Sequence, residues 1–207
     1  MKKLLALFAL FAACGISTFA QGTPVVEING GYTFQKWYSP PVATPPDSLD
    51  FHGFNVGIGY NFKRWLAGVA DISGTYNSQD ATSLAPASHE HIYSYLFGPR
   101  LYPLGHRKLT PYVHGLVGVA SYNVETPAAI IDGEPVPAFS QTDTDFSFAL
   151  GGGLDLSLGK HFSIRLGQFD YQQTRALHSD AVLSGVAPDN QNNFKYSAGI
   201  VIKFGEK

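Results

Sequence analysis

The fold is decided by residues 146–158, which read Phe-Ser-Phe-Ala-Leu-Gly-Gly-Gly-Leu-Asp-Leu-Ser-Leu. The even positions of this stretch hold Phe or Leu, except for Gly152, and the odd positions hold Ser, Ala, Gly or Asp. Successive side chains of a β-strand point to opposite faces of a sheet. The alternation therefore predicts a strand with one large apolar face and one face of small or polar residues.

The same alternation recurs along the chain and predicts eight strands in all. The other candidates are residues 26–35, 51–62, 66–75, 92–102, 111–122, 162–167 and 193–204. The segment 111–122 alternates poorly, and His114 is placed on its inner face because it is the polar member. Parity is lost between Gly167 and Tyr171, which indicates either a β-bulge or the exit of the strand from a membrane.

The composition of the two faces indicates which one points outward. The small face is rich in Gly, Ala and Ser, which suits the crowded interior of a narrow barrel better than a coat exposed to water. Charged residues are 14% of the chain, well under the roughly 25% of an ordinary soluble domain. We therefore expect an all-β fold, an eight-stranded antiparallel up-and-down transmembrane β-barrel. A soluble barrel or sandwich with the apolar face inside is the alternative.

The connections between the candidate strands alternate in length. The turns at Lys63-Arg64 and Gly159-Lys160 are tight, and residues 103–109 form a modest one. Residues 38–50, 77–89, 123–144 and 174–192 are long and rich in Pro, Ser, Thr and Asp. Long extracellular loops and short periplasmic turns are typical of outer-membrane barrels, so we expect both termini on the periplasmic side.

Residues 1–20 have the features of a secretory signal peptide. Lys2 and Lys3 precede an apolar segment at 4–13, and Ser17-Thr18-Phe19-Ala20 offers small residues for cleavage after Ala20. We expect residues 21–207 to form the barrel domain. Lipidation of Cys14 is the alternative fate of this segment. Without Lys2 and Lys3 the chain has 12 basic and 16 acidic residues, a net charge of −4, so no basic field for nucleic acid is expected.

Several short motifs resemble the OmpA/OmpX-like family of small outer-membrane barrels. The carriers are the signal peptide, Phe97-Gly98-Pro99-Arg100, Thr110-Pro111-Tyr112-Val113 and the last strand. In that strand, Ser197, Gly199, Ile202 and Phe204 are similar to the β-signal that the barrel assembly machinery recognises. The resemblance implies a cell outer membrane location, with outer-membrane lipids and the assembly machinery as partners.

Charged residues on the small face form one candidate site inside the barrel. They are Glu27, Asp71, Arg100, Asp155, Arg165, Lys195 and Lys203. Because an isolated buried charge is costly, charges enclosed in a narrow lumen must be paired. The pattern favours a structural network of salt bridges that holds the barrel shut. A gated ion path through the same residues is the alternative.

We expect no enzymatic activity, no cofactor and no metal. Some small outer-membrane barrels modify lipid A with a His and a Ser, and His178-Ser179-Asp180 is the candidate cluster here. Adjacent residues of a strand point to opposite faces, which argues against cooperation between His178 and Ser179. His89 and His91 flank Glu90 at the start of a strand, but a metal site needs a further ligand. They are interpreted as solvated polar residues at the rim.

Two functions follow from this sequence. The first is a structural or surface-interaction protein, expected to be a monomer, whose loops contact an extracellular ligand in adhesion or maintain envelope stability. The second is a narrow channel or small-ligand transporter. Aromatic residues near strand ends are interpreted as membrane-interface girdles, and loop aromatics such as Phe139 as alternative partner contacts. The girdle candidates are Trp37, Tyr38, Tyr60, Trp65 and Tyr76.

Overall fold

The computed structural model describes residues 23–38, 48–79, 87–131, 134–175 and 190–206, and these residues form ten β-strands. The strands are β1 (Pro24–Tyr38), β2 (Ser48–Lys63), β3 (Leu66–Gln79), β4 (Ser88–Leu101), β5 (Leu109–Thr126), β6 (Ala129–Ile131), β7 (Glu134–Val136), β8 (Phe139–Ser157), β9 (Phe162–Arg175) and β10 (Asn190–Glu206). No helix in these ranges is long and apolar enough to cross a membrane.

Eight of the strands close into an antiparallel barrel. Their order around the barrel is β1-β10-β9-β8-β5-β4-β3-β2, so neighbours along the chain are also neighbours in space. The last strand closes the barrel on the first, from the pair Pro24 and Glu206 to the pair Tyr38 and Asn192. Strands β6 and β7 form a separate hairpin between β5 and β8. The predicted eight-stranded up-and-down barrel is confirmed.

The two faces of each barrel strand carry opposite chemistry. In β2, Phe54, Val56 and Ile58 are exposed on the outer face, whereas Asn55 and Asn61 are buried inside. The other barrel strands repeat this arrangement and surround the barrel with exposed Phe, Tyr, Leu, Ile and Val side chains. An outer face of this composition is stable in lipid and not in water.

The change of parity in the seventh candidate strand is a β-bulge. Leu154 of β8 pairs with Gly167, but the next residue, Asp155, pairs with Arg165, so β9 carries one extra residue at this point. The pairing of β9 with β10 shifts at the same place. Beyond the bulge, even-numbered residues of β9 face the lumen, including Asp170.

The long connection predicted at 123–144 is shorter than expected. Strands β5 and β8 remain paired out to Thr126 and Phe139, because polar residues there continue the ladder above the apolar belt. The connection itself spans residues 127–138 and contains the β6–β7 hairpin. We call this side of the barrel the loop end. The opposite side, with the turns at 63–66, 102–109 and 157–162, is the turn end.

Candidate functional site

The barrel interior at the turn end is closed by side chains from the turn between β4 and β5. Tyr102 folds back into the lumen, where it is 1% exposed and its hydroxyl donates to Glu27 Oε2 at 2.7 Å. His106 follows it inward, with Nε2 3.2 Å from Glu27 Oε1. Burial and the adjacent Glu27 carboxylate raise the pKa of Tyr102 well above its usual range. The phenol therefore stays protonated and keeps its role as a donor to Glu27.

Above this turn, two arginines meet over one aromatic ring. Arg165 binds Asp155 through two hydrogen bonds, from Nε at 2.9 Å and from Nη2 at 3.1 Å. The guanidinium carbons of Arg100 and Arg165 lie 4.4 Å and 4.8 Å from the centre of the Tyr112 ring. Cation–π attraction in a buried site stabilises both cations and partly offsets their mutual repulsion. We call Glu27, Arg100, Tyr102, Tyr112, Asp155 and Arg165 the basal cluster.

A second buried network lies on β5 and β9. His114 Nε2 is 2.7 Å from Asp170 Oδ1, and Gln168 donates to the other oxygen of the same carboxylate at 2.7 Å. Gln168 in turn accepts hydrogen bonds from Tyr112 and from Arg165 Nη1. These contacts join the Asp170 carboxylate to the basal cluster. The placement of His114 on the inner face is confirmed, since its side chain is fully buried.

The middle of the lumen is held by amides and hydroxyls around one ion pair. Asn29 donates to Asn55, and Asn55 donates to Asp71 at 2.7 Å. Lys195 lies 3.9 Å from Asp71 and donates to the Ser73 hydroxyl at 3.1 Å. A weak ion pair supported by neutral hydrogen bonds satisfies most of the buried charge at this level.

At the loop end the interior holds an apolar cluster beside buried polar side chains such as Glu90 and Asn193. Trp37, Leu49, Phe51 and Ile92 form a buried cluster, with Tyr122 packed against it. The Trp37 ring meets the Phe51 and Tyr122 rings edge to face, at centroid distances of 5.6 Å and 4.7 Å. We call this set the apical plug. The interpretation of Trp37 as a girdle residue is wrong, because its odd number on β1 turns it into the lumen, where it is 1% exposed.

All seven of the charged residues predicted to face the lumen are buried, but they do not form one network. Asp155 pairs with Arg165, and Asp71 with Lys195. Glu27 instead contacts Tyr102 and His106, and Lys203 donates to Ser157 at 2.7 Å. Among the described residues no carboxylate lies within ion-pair distance of Arg100, whose partner is the Tyr112 ring.

Sequence reasoning missed two buried carboxylates and most of the neutral groups that hold the charges. Asp170 lies beyond the bulge, and counting outward from Tyr171 on the far side would have placed it inside. Glu90 was interpreted only as part of a rim cluster, yet it faces inward next to Tyr122. Tyr102 and His106 belong to a turn, where an alternating pattern gives no information about direction.

The remaining candidates are distributed as follows. His89 is exposed at the loop end beside Ser78, and His91 packs against the Tyr76 ring. No group of three potential metal ligands occurs in the ranges that the structure describes. The signal peptide at 1–20 and the cluster His178-Ser179-Asp180 lie outside the described residues.

The four residues of the predicted assembly signal lie on β10, and all four pair with residues of β1 across the closing seam. Ser197 Oγ is 2.7 Å from Thr33 Oγ1. Gly199 pairs with Gly31, and a Cβ on Gly199 would overlap the Gly30 backbone, so only glycine fits this close approach. Ile202 and Phe204 are on the outer, apolar face.

Comparisons with known proteins agree with this architecture. The family model described as the outer membrane protein beta-barrel domain matches residues 6–205. No curated protein sequence is significantly similar to the chain. The structure is similar to that of Ail, the attachment invasion locus protein of Yersinia pestis, with a TM-score of 0.56 and 16% identity, covering 86% of this chain and 99% of that one.

Two further solved structures resemble this chain. Neisserial surface protein A has a TM-score of 0.57 and 12% identity, with 86% of this chain and 97% of that chain covered. The outer membrane protein OprG of Pseudomonas aeruginosa has a TM-score of 0.51 and 14% identity, with 89% and 98% covered. At these identities the likeness shows the fold alone.

Proposed function

Because the chain belongs to the outer-membrane β-barrel family, we propose that it is a closed, non-conducting barrel whose loop end makes contacts outside the cell. Family membership implies a location in the outer membrane. The finer role, a structural or surface-interaction protein rather than a channel, rests on how the lumen is filled. Fold alone does not decide it, since one fold hosts many functions.

The observation that carries the proposal is the burial of large side chains at both ends of the lumen. Tyr102 seals the turn end, and Trp37 and Phe51 seal the loop end, each at 1% exposure or less. A side chain that lined a water-filled channel would be exposed to that water. An eight-stranded barrel has an interior that side chains just fill. The basal cluster, together with the hydrogen bonds around the Asp71–Lys195 ion pair in the middle of the lumen, then fills the barrel as a rigid plug.

Planar-bilayer recording tests this directly. We expect the purified wild-type barrel to give no discrete conductance steps. The variant Trp37→Ala/Tyr102→Ala, which shortens one seal at each end, provides the positive comparison and should raise the current. Reproducible steps from wild-type protein, abolished by substitutions in the lumen, would instead support the narrow channel, which the polar middle of the lumen favours.

The topology belongs to the same proposal. We assign the short turns and both termini to the periplasm. We also propose that the signal peptide is removed after Ala20 and that the barrel assembly machinery recognises β10. An epitope inserted into the connection at 127–138 should be accessible on intact cells, whereas a C-terminal epitope should not. Labelling of the C-terminal epitope alone would reverse the orientation.

The charge of the loop end indicates what kind of ligand it can meet. In the sequence, the loop segments and adjoining strand ends carry two cations, Lys36 and Arg175, against eleven carboxylates, namely Asp47, Asp50, Asp80, Glu90, Glu125, Asp132, Glu134, Asp143, Asp145, Asp180 and Asp189. Ail has been crystallised with the heparin analogue sucrose octasulfate. A polysulfate would be repelled here, so we propose a neutral or cationic ligand for this chain.

We also propose that the protein is not an enzyme. The basal cluster has the ion pairs of a structural core, and its groups are buried away from any lipid or solute. Lipid A from cells that express the wild type and the variant His178→Ala/Ser179→Ala should have the same mass spectrum. A wild-type-dependent change in lipid A mass, lost in the variant, would establish an envelope enzyme.

A further inference from the structure

We propose that the turn end of the barrel is a binding surface for anionic phospholipid headgroups. The surface consists of Lys63, Arg64, Arg107, Lys108 and Lys160, which we call the basic collar. The proposal rests on the orientation given above, in which the turn end lies at the periplasmic leaflet. It goes further by naming the lipid chemistry that this leaflet supplies.

The first observation is the separation of charge along the barrel axis. All five collar residues are exposed, and Glu206 is the carboxylate that accompanies them, at 3.9 Å from Lys160. The described residues at the loop end have the opposite excess, with six carboxylates (Asp50, Glu90, Glu125, Glu134, Asp143 and Asp145) and two cations (Lys36 and Arg175). The cations are thus concentrated at one membrane interface, where basic residues are attracted to anionic lipids.

The second observation is that the collar is a fixed surface. Tyr102 N donates to Trp65 O at 2.9 Å, which ties the 102–109 turn to the 63–66 turn. Ser157 N donates to Lys108 O at 2.7 Å, and Lys203 N donates to His161 O at 2.8 Å. These backbone bonds hold the three turns together, so the cationic groups stand on one rigid rim.

The third observation is that apolar anchors accompany the cations. Trp65 and Leu104 are each more than half exposed at this rim, and the Lys63 ammonium lies 5.5 Å from the Trp65 ring centre. Trp at a membrane interface places its apolar body against acyl chains and its polar edge among headgroups. A cation beside it is then at the depth of the lipid phosphate.

Together these features favour a lipid over a soluble anion. A free phosphate would need a concave, buried donor set, whereas the collar cations are spread over a rim and exposed. A phosphodiester anchored in the bilayer is presented to the whole rim at high local concentration. The occupant that fits is a phospholipid with net negative charge, such as phosphatidylglycerol.

The fluorescence of Trp65 can report lipid binding to the collar. The chain has two tryptophans, Trp37 inside the apical plug and Trp65 in the collar. In a Trp37→Phe background, quenching of Trp65 by brominated phosphatidylglycerol and by brominated phosphatidylcholine gives the relative binding constant of the two lipids. We expect phosphatidylglycerol to be favoured about tenfold at low ionic strength and the preference to fall as salt is raised.

Matched double variants locate the effect. Arg64→Gln/Arg107→Gln removes two collar cations, and Lys36→Gln/Arg175→Gln removes the two loop-end cations. The collar variant should bring the lipid preference close to unity, and the loop-end variant should leave it unchanged. At matched ionic strength, inorganic phosphate should lower the preference no more than chloride does. Equal quenching by both lipids in the parent, equal loss in both variants, or a greater loss of preference with phosphate than with chloride would each overturn the proposal.

The outcome is separable from that of the proposed function. Vesicles with the same lipids in both leaflets make the quenching independent of insertion direction, which the epitope experiment tests. Each variant must first show the faster migration of an unboiled, folded barrel on a denaturing gel. A variant that fails this check is replaced by Lys108→Gln/Lys160→Gln, which lies in the same collar.

Discussion

At the scale of single residues, the Arg165–Asp155 ion pair is the interaction in the lumen whose loss should lower the free energy of unfolding most. Both side chains are buried and share two hydrogen bonds. Truncating one partner leaves an uncompensated buried charge, so we expect Arg165→Met to lower the free energy of unfolding by about 3–5 kcal/mol. Urea titration of the folded band on unboiled gels measures this change.

The matched control for that substitution is Lys160→Met. Lys160 pairs with Glu206 at 3.9 Å on an exposed rim. An exposed ion pair contributes at most about 1 kcal/mol, so the control should be nearly neutral. Equal losses of unfolding free energy in both variants would mean that burial does not determine how much these ion pairs stabilise the barrel. The ion pairs in the lumen would then not be the source of its stability.

Gly151 is a second residue at which side chains in the lumen are tightly packed. A Cβ on Gly151 would overlap the Asp170 carboxylate and the Phe169 carbonyl oxygen. We expect Gly151→Ala to displace Asp170 from His114 and to destabilise the barrel by about 1–3 kcal/mol. Gly159→Ala is the control, because a Cβ at that residue would meet no atom within 4 Å. The comparison uses the same urea titration, and similar midpoints for the two variants would refute the packing argument.

Single residues also show where inference from sequence stops. Alternation alone would have placed Trp37 with Gln35 on the inner face, but its residue type pointed to a membrane girdle. The inward direction of Tyr102 and His106 could not be predicted from the sequence. A turn has no repeating pattern, and its side chains are positioned by tertiary contacts. The seven lumen charges were identified from their parity, whereas their partners, such as Tyr112 for Arg100, depend on which strands meet across the lumen.

At the scale of elements, the strands and their faces were the predictable part. Residues that contact lipid are apolar, and residues that fill the lumen are small or polar. Because the two kinds alternate along a strand, β2, β8 and β10 can be recognised from the sequence. Strand ends were less predictable. The upper parts of β5 and β8 extend above the apolar belt, where both faces are polar and the alternation disappears.

The bulge in β9 supplies a prediction at this scale. It adds one residue near Gly167, and the parity of the strand changes across it. Deleting Gly167 should give a regular strand in which Arg165 and Asp170 both keep their inward faces. Deleting Ile164 instead should turn Arg165 toward lipid and break its pair with Asp155. We expect a heat-modifiable band for the first deletion and none for the second; the reverse result would show that the bulge itself is required for folding.

At the scale of the whole molecule, the barrel separates three charge environments. The loop end is acidic, the lumen holds nearly balanced opposite charges, and the turn end is basic. Closure of eight strands allows this separation, because the lumen is isolated from both rims by the basal cluster and the apical plug. The net charge of −4 that remains without Lys2 and Lys3 gives no information about this separation of charge. Only the assignment of each residue to an end or to the lumen makes it visible.

This polarity predicts opposite ligand preferences at the two ends. In nanodiscs of phosphatidylcholine, whose two faces are both accessible, polylysine should bind the loop end and heparin the turn end. Asp50→Asn/Asp143→Asn should weaken polylysine binding and leave heparin binding intact, and Arg107→Gln/Lys108→Gln should do the opposite. Both effects should amount to several-fold in affinity and fade once salt shortens the screening length to about 8 Å. Surface interferometry measures both ligands on the same sample. Heparin binding that depended on the loop-end residues would contradict the separation of charge and return the polysulfate-binding role to consideration.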